Sequence, residues 1–561
     1  MPYVKNTIKV KVPQRSGFDK SHRHSGSLTC GTITPILCDE VIPNTRVSLR
    51  IPISIQLPPL VSETYMNVRA KVEAFFVPSR ILCASFEDFF CDFPRRVFTN
   101  YSVSGQRSGT FSDVSAAVPV FDVSPSSGAL YGKGTLLDYL GLKLPASSGA
   151  IRRFNPLPLI AYHLVWQEWY RNPRVQNPAF SPNLGNNITF TANTIDTGAY
   201  LPFVYFHRAF VGDDGVSSPD NSVCSITSAS LSSYNLADGV SIFALRQRNF
   251  GLDYFTGSRL SAQQGQPANV SFTVDSTTGD GSISIAQIRA QNSLQQFRER
   301  NNIPSPRMVD QVKARYNANL SDGVAQRPIC IGTASYDVYS RGVDQTADSV
   351  DTVATPENLF SGVGAQYGRA SANGSDFLIS DFVANEPGYI LVNLTLVPEA
   401  SYSYGFDRMF MRYLSEGSVT DMANPILQNV GDQPVYSREL TGLDYADNVV
   451  FGYQDRYADF MFKPSRTSGE LREDGSLHQF VLQRALVGNP TLSSSFLEIP
   501  KNFLDGVTTV GVATSGVSAW FDAILQYKVS MPLAEFSIPS LQDPAYEHGD
   551  SVNLRRNGQI F

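Results

Sequence analysis

Three kinds of residue grouping in this 561-residue sequence could do chemistry: paired carboxylates, histidines near thiols, and aromatic rings threaded between charges. Asp455 with Asp459, Glu87 with Asp88, and Asp213 with Asp214 could each act as acid and base on a glycosidic bond. That work needs two carboxyls held a set distance apart across a cleft. Beside Arg456 or Arg95, such pairs read more simply as solvated or salt-bridged surface. His22 and His24, followed by Cys30 and Cys38, offer the nitrogen and sulfur donors that zinc takes. Their gaps of one, five and seven residues fit no compact zinc module, so they read as unrelated arm histidines and core thiols. No Gly-x-Ser-x-Gly elbow, His-Glu-x-x-His pair or Walker phosphate loop occurs. The sequence therefore nominates no catalytic residue, no metal ligand and no cofactor.

The third grouping is FGYQDRYADFMFKPSRTSGE, residues 451–470. Rings and charges of both signs alternate there. The pattern could stack a single-stranded nucleic acid, line a sugar cleft, or lock one copy of a chain against the next. Acids are as frequent as bases in this stretch, which opposes phosphate. Large rings with opposed charges suit a protein interface, where aromatics and Arg carry affinity and charge pairs fix register. Tyr453, Asp455, Arg456, Tyr457, Asp459 and Phe460 are the candidate subunit-interface residues.

These residues must be positioned by a strand-rich body. The chain is 42% hydrophobic and only 17% charged, with 41 Gly, 34 Pro, 35 Phe and 25 Tyr, a composition that leans towards strands and turns. A net charge of −6 excludes a broad basic face for nucleic acid, so a polyanion would have to meet a local patch. The six cysteines are scattered without a C-x-x-C and read as reduced thiols of a cytoplasmic-type compartment. The opening MPYVKNTIKVKVPQRSG has no apolar core of signal-peptide length, and no stretch approaches a membrane helix. The expectation is a soluble protein without membrane insertion.

Residues 1–45 read as an extended basic arm and lead-in. Lys5, Lys9, Lys11, Arg15, Lys20 and Arg23 face a single early acid, Asp19, and Pro13, Ser16 and Gly17 discourage regular structure. Such an arm is either a solvated tail or an interior segment facing phosphate. Residues 46–57 and 66–77 then alternate strictly, with Val47, Leu49, Ile51, Ile53 and Ile55 on one face of the first and Val68, Ala70, Val72 and Ala74 on one face of the second. Comparable strands are expected only much later, at 388–397, 477–486, 506–516 and 523–533. Early strands that await late partners imply a sandwich with non-local pairing. Helices are expected at 158–172, 286–301 and 306–320, and the Gly-rich 362–370 reads as a loop. His163, His207 and His478 read as satisfied, partly buried side chains, and Trp166 and Trp169 as packing anchors. The expected organisation is one domain over 46–561 with insertions at roughly 95–150, 172–245, 257–385 and 400–475.

Several ordered stretches resemble one known family. GFDKSHRHSGSLTCGTITPILCDEVIPNTRV (17–47), VEAFFVPSRILCASFEDFF (72–90), GTLLDYLGL (134–142), AYHLVWQEWYRN (161–172), LRQRNFGLDYFTG (245–257), QRPICIG (326–332), FGYQDRYADFMFKPSRTSG (451–469) and MPLAEFSIPSLQD (531–543) follow in the order seen in the major capsid proteins of the Microviridae. The likeness is greatest to the gokushovirus-like branches of these small single-stranded DNA bacteriophages. It implies an all-β fold, an eight-stranded antiparallel jelly roll with long loop insertions and a few short helices. It further implies a non-enzymatic subunit of a T=1 icosahedral shell, located in the virion and assembled in the bacterial cytoplasm around circular single-stranded DNA. Implied partners are further copies of the chain, a small basic DNA-binding virion protein, a DNA pilot protein and a host surface receptor. One departure is RLSAQQGQP (259–267), which lacks the family's Pro-Trp-Pro-Gln. Only about twenty residues then precede Ala286, too few for the usual surface protrusion, so host-facing decoration is expected in 180–240 instead. A β-sandwich glycosidase or lectin is the alternative reading.

Overall fold

The computed structural model describes residues 15–82 (except 66), 132–143, 152–180, 236–262 (except 237), 285–344 (except 303–305), 366–412, 431–443 and 449–533 (except 487 and 513–515). Short pieces at 86, 90, 95–99, 110–114, 120–123, 190–191, 194–195, 223–226 and 425–426 complete them.

One antiparallel sheet dominates these residues. Its strands are β1 (Ser16–Asp19), β2 (His22–Leu28), β3 (Thr34–Val41), β4 (Thr45–Gln56), β5 (Val68–Pro78), β6 (Ile329–Asp344), β7 (Gln366–Ala384), β8 (Gly388–Pro398) and β9 (Ala519–Met531). Their spatial order is β1–β9–β4–β7–β6–β5–β8–β3, with β2 also on β9. β1 and β2 meet β9 in one unbroken register, from Ser16 opposite Met531 to Leu28 opposite Ala519. They are one edge strand interrupted at Lys20 and Ser21, so the sheet has eight strand positions, as a jelly roll requires.

The sheet curls because two strands change partners partway. β6 pairs with β5 along Ile329–Val338 and with β7 along Tyr339–Asp344. β7 leaves β6 after Ser371 and continues along β4. Curling brings the two edges together, and side chains close the seam. His24 donates Nδ1–H to the Ile36 carbonyl at 2.8 Å. Asp39 of β3 receives Lys20 at 2.6 Å and the Tyr527 hydroxyl of β9 at 2.8 Å.

The alternation in β4 and β5 has its expected cause. Val47, Leu49, Ile51, Ile53 and Ile55 are buried against Val68, Ala70, Val72 and Ala74 inside the curl. Each large aliphatic side chain enclosed there stabilises the fold by roughly 1.5–3 kcal/mol. β8 is buried on both faces. Ile390, Val392 and Leu394 point into this core, while Tyr389 and Leu391 join a second core built on helix α1 (Leu157–Val165). Double burial explains why GYILVNLTLV reads as an almost continuous apolar run. α1 passes into a π turn (Trp166–Tyr170) and ends before Pro173. Trp166 and Trp169 anchor it, donating to the carbonyls of Gln247 (3.1 Å) and Pro328 (2.9 Å). Helices α2 (Ile285–Asn302) and α3 (Met308–Tyr316) match the two further helical expectations.

Several expectations need correction. Residues 16–41, expected to be arm and lead-in, belong to the sheet, because β9 supplies a ladder partner that no local propensity reveals. The insertion expected at 257–385 contains all of β6 and β7, and the loop expected at 362–370 becomes strand from Gln366. Gly374 in β7 lies against the Tyr336 ring, where a Cβ would sit 2.0 Å from a ring carbon, so only glycine fits. Residues 477–486 are not a strand: His478–Phe480 is a 3₁₀ turn, followed by lone bridges of Val481 to Tyr65 and Arg484 to Tyr402. Residues 506–516 form turns with a single bridge, Thr508 to Leu60, among the described residues.

Candidate assembly surface

The aromatic–charge stretch begins as half of a two-stranded ribbon, Val450–Gln454 against Gln433–Tyr436. Tyr453 also exchanges both backbone bonds with Arg259, each 2.8 Å. The chain then turns sharply at Tyr457, whose φ of 65° lies in the left-handed region that a bulky residue seldom adopts. Two contacts hold it there: its amide donates to Gln433 Oε1 at 2.9 Å and its ring is buried. The turn launches a short helix, Ala458–Met461, that carries Phe460 outward.

The three charges of the stretch nominated for the interface, Asp455, Arg456 and Asp459, are bound within the chain. Arg259 grips both Asp432 (2.7 Å) and Asp455. Arg456 Nε donates to the Gly431 carbonyl at 3.2 Å. Asp459 accepts from Gln433 (3.1 Å) and pairs with Arg412, with Arg408 at 4.0 Å. Arg408 also reaches Glu439 at 3.2 Å. Burial raises the Glu439 carboxyl above the usual range although Arg408 opposes the shift. The Arg412 guanidinium lies 3.9 Å from the Phe460 ring centroid and holds that ring in place from one side.

What this network presents outward is apolar. Met409, Phe460 and Phe462 rim a pocket of about 160 Å³ whose floor includes Tyr254 and Phe255. Phe460 and Phe462 are 61% and 62% exposed. Phe462 and Met461 continue into an adjoining cleft of about 810 Å³ that contains Leu252, 86% exposed, but is otherwise lined largely by polar and charged side chains such as Arg69, Lys71, Asp253 and Lys463. Sequence reading found Phe460 but missed Leu252, Met409 and the buried brace of Arg408, Arg412, Asp432 and Glu439. GFDRMFMR (405–412) carries the same interleaving of rings and charges as 451–463 and was the available signal.

Of the basic candidates, Lys5, Lys9 and Lys11 lie outside the described residues. Arg15 bonds Asn44 (2.8 Å to Oδ1), Lys20 pairs with Asp39 across the seam, and Arg23 makes a two-pronged pair with Asp522 of β9 at 2.6 and 2.7 Å. They sit at strand edges and on the sheet face, apart from the 451–463 surface in sequence and fold.

The other chemical candidates are structural. His163 is fully buried, donates Nε2–H to the Ile242 carbonyl (2.7 Å) and accepts from Arg246 Nε (2.8 Å). Burial and the Arg246 charge keep it neutral well below the ordinary histidine range, and Arg246 itself pairs with buried Asp238. His478, expected to be partly buried, is exposed on its turn. His207, Glu87, Asp88, Asp213, Asp214 and the stretch 181–189 with most of 196–235 lie outside the described residues. Cys30 is buried, and burial pushes the Cys38 thiol up to about 12. Among the described residues no three His, Cys, Asp or Glu gather to hold a metal, and no helix is long and apolar enough to cross a membrane.

The curled antiparallel sheet with eight strand positions and few short helices is an all-β jelly roll, consistent with the fold of a structural capsid protein. The comparisons agree. A family model described as capsid protein (F protein) matches residues 6–541. The capsid protein VP1 of Chlamydia phage 1 is 25% identical, covering 94% of this chain and 96% of that protein. VP1 of Spiroplasma virus 4 is 24% identical over 94% of this chain and 95% of that one, and VP1 of Bdellovibrio phage phiMH2K is 23% identical over 86% and 88%. The chain belongs to this F-type capsid protein family and is a structural capsid protein of the virion.

Proposed function

We propose that this chain forms a closed T=1 icosahedral shell around single-stranded DNA, assembled in the cytoplasm of a bacterial host. The observation that carries the reading is the exposed Met409–Phe460–Phe462 surface, pinned by Arg412 and the charges beneath it. A rigid aromatic anchor loses little freedom on docking, which favours many modest contacts that close by symmetry. Tyr453, Asp455, Arg456, Tyr457 and Asp459 serve this interface from beneath, by holding the turn, and Phe460 serves it directly. Chains of net charge −6 do not neutralise a packaged genome, so a separate small basic virion protein or cations complete the interior. A pilot protein and a host receptor are further partners of such a particle.

The test is microscopy with size-exclusion of the protein expressed alone and taken from infected cells. Closed particles of roughly 25–30 nm, the scale on which some sixty domains of ordinary size tile a sphere, support the reading. A stable monomer under every condition, including with virion partners supplied, counts against it.

A further inference from the structure

The sheet has an open outer face, formed by β2, β9, β4, β7 and the second half of β6, and its composition is unlike that of the chain. Ser25, Ser54, Asn373 and Ser375 give it a low, polar floor. From this floor rise three exposed aromatics, Trp520, Tyr339 and Phe377. Trp520 and Tyr339 occupy one row across the sheet, with Gln56 and Ser371 between them. Three strand spacings separate them, about 14 Å. Phe377 lies in another row beside Arg50, whose guanidinium is 5.2 Å from its ring centroid.

The charges on this face do not balance. Its acids are each matched: Asp19 stands opposite Lys528, Asp381 pairs with Arg46 at 2.8 Å, and Asp522 pairs with Arg23. Arg50, Arg341 and Arg369 are left without a carboxylate among the described residues. Arg341 and Arg369 are directly opposite one another in the β6–β7 register. Like charges in that position repel and destabilise the sheet unless an anion lies between them. Guanidinium is also the side chain best matched to phosphate.

We infer that this face binds single-stranded nucleic acid, with phosphates on Arg341, Arg369 and Arg50 and bases stacked on Trp520, Tyr339 and Phe377. Exposed aromatics on a sheet of this width stack two or three bases in other folds, and the π-face of any base suffices. The inference rests on the capsid reading for its occupant, a packaged single strand. The contact is local: three unmatched cations per chain order a short run of strand and leave bulk neutralisation to other components. It also moves the nucleic-acid role of Arg23 from a free arm to a sheet, where it holds Asp522 away from the phosphates.

The experiment uses the unassembled full chain and a labelled oligothymidylate of about 20 nucleotides, a length that covers a site of this kind. Anisotropy titrations over a range of salt are expected to give a log–log slope of about −2, from three phosphates on a single strand. The double variant Arg341→Ser, Arg369→Ser is expected to weaken binding about tenfold or more and flatten the slope by roughly 1.4. Trp520→Ala is expected to weaken binding about tenfold with the slope unchanged. All three side chains are exposed, so thermal unfolding checks that the variants stay folded. Undetectable binding at low salt, or variants that bind like wild type, overturns the inference. Variants that lose particles yet keep oligonucleotide affinity overturn it in favour of a contact between copies. Failure of the wild-type chain to form shells challenges the capsid reading instead and leaves the titration result standing.

Discussion

Phe462→Ala separates docking from folding. Phe462 is 62% exposed, and an aromatic side chain carries about 150–250 Å² of burial capacity, so roughly 100–150 Å² awaits a partner. At about 25 cal/mol per Å² a neighbour that covers it gains about 3 kcal/mol, of which truncation to Ala removes about 2 kcal/mol. If Phe462 contacts one neighbour, the free-subunit concentration at which shells form rises about thirtyfold. The folded monomer, in which this ring is largely unpacked, should change by about 0.5 kcal/mol or less. Light scattering against protein concentration reads the first quantity, and urea unfolding of the unassembled chain reads the second. An unchanged assembly threshold refutes the docking role of the patch. A threshold that rises only because the monomer unfolds shows Phe462 to be a packing residue.

Other perturbations probe the scaffold. Gly374→Ala forces a methyl group into the Tyr336 ring, and thermal melting should show a loss of about 3 kcal/mol or complete failure to fold, as overpacking at a closed site does. Burial opposes ionisation of Glu73, but the Arg248 pair (2.7 Å) and the Tyr170 hydroxyl (2.6 Å) outweigh it and hold the carboxyl below its ordinary 4.5. Its contribution is therefore complete above that value and lost as pH falls through the lower, folded one; Glu73→Gln should be less stable at neutral pH and show a shallower acid limb in denaturant titrations. His163 is depressed below 6.5, so it leaves stability intact above that value and erodes it as pH falls towards its folded value. His163→Gln, which can keep one donor and one acceptor, should flatten the stability change between about pH 6.5 and 5.

The legible parts of the fold were those whose two faces differ. β4 and β5 alternate because one side of each strand meets the core and the other meets water or a polar neighbour. β6 and β7 escaped notice for a physical reason. GTASYDVYSRGVD and QYGRASANGSDF have an open outer face that mixes polar residues with exposed Tyr339 and Phe377, and their inner face needs small residues such as Ala370, Ala372 and Gly374 beneath Tyr336. No apolar period survives that combination. LHQFVLQRAL misled in the opposite sense. Its alternation serves Arg484, which turns inward and packs its guanidinium 4.4 Å from Phe250 and 4.3 Å from Phe496. At the candidate assembly surface, ring and charge types were readable, but the partners that bind Asp455 and Asp459 lie at Arg259, Arg408 and Arg412. Only the fold joins positions so distant, so the charges expected to set register between copies are bound within one copy.

The register of β9 has a consequence for how particles are made. This strand is near the end of the sequence, yet it sits between the first strand and β4. Until residue 519 has been synthesised, β4 lacks one ladder partner and the edge strand has no sheet to join. Pairings this distant in sequence form late and slowly. A chain broken off before that point cannot zip the seam at Asp39 or seat Arg23. On the closed-shell reading, incomplete products lack the geometry that a neighbour must match, and the order of synthesis would act as an inspection step for a lattice that one defective tile would spoil.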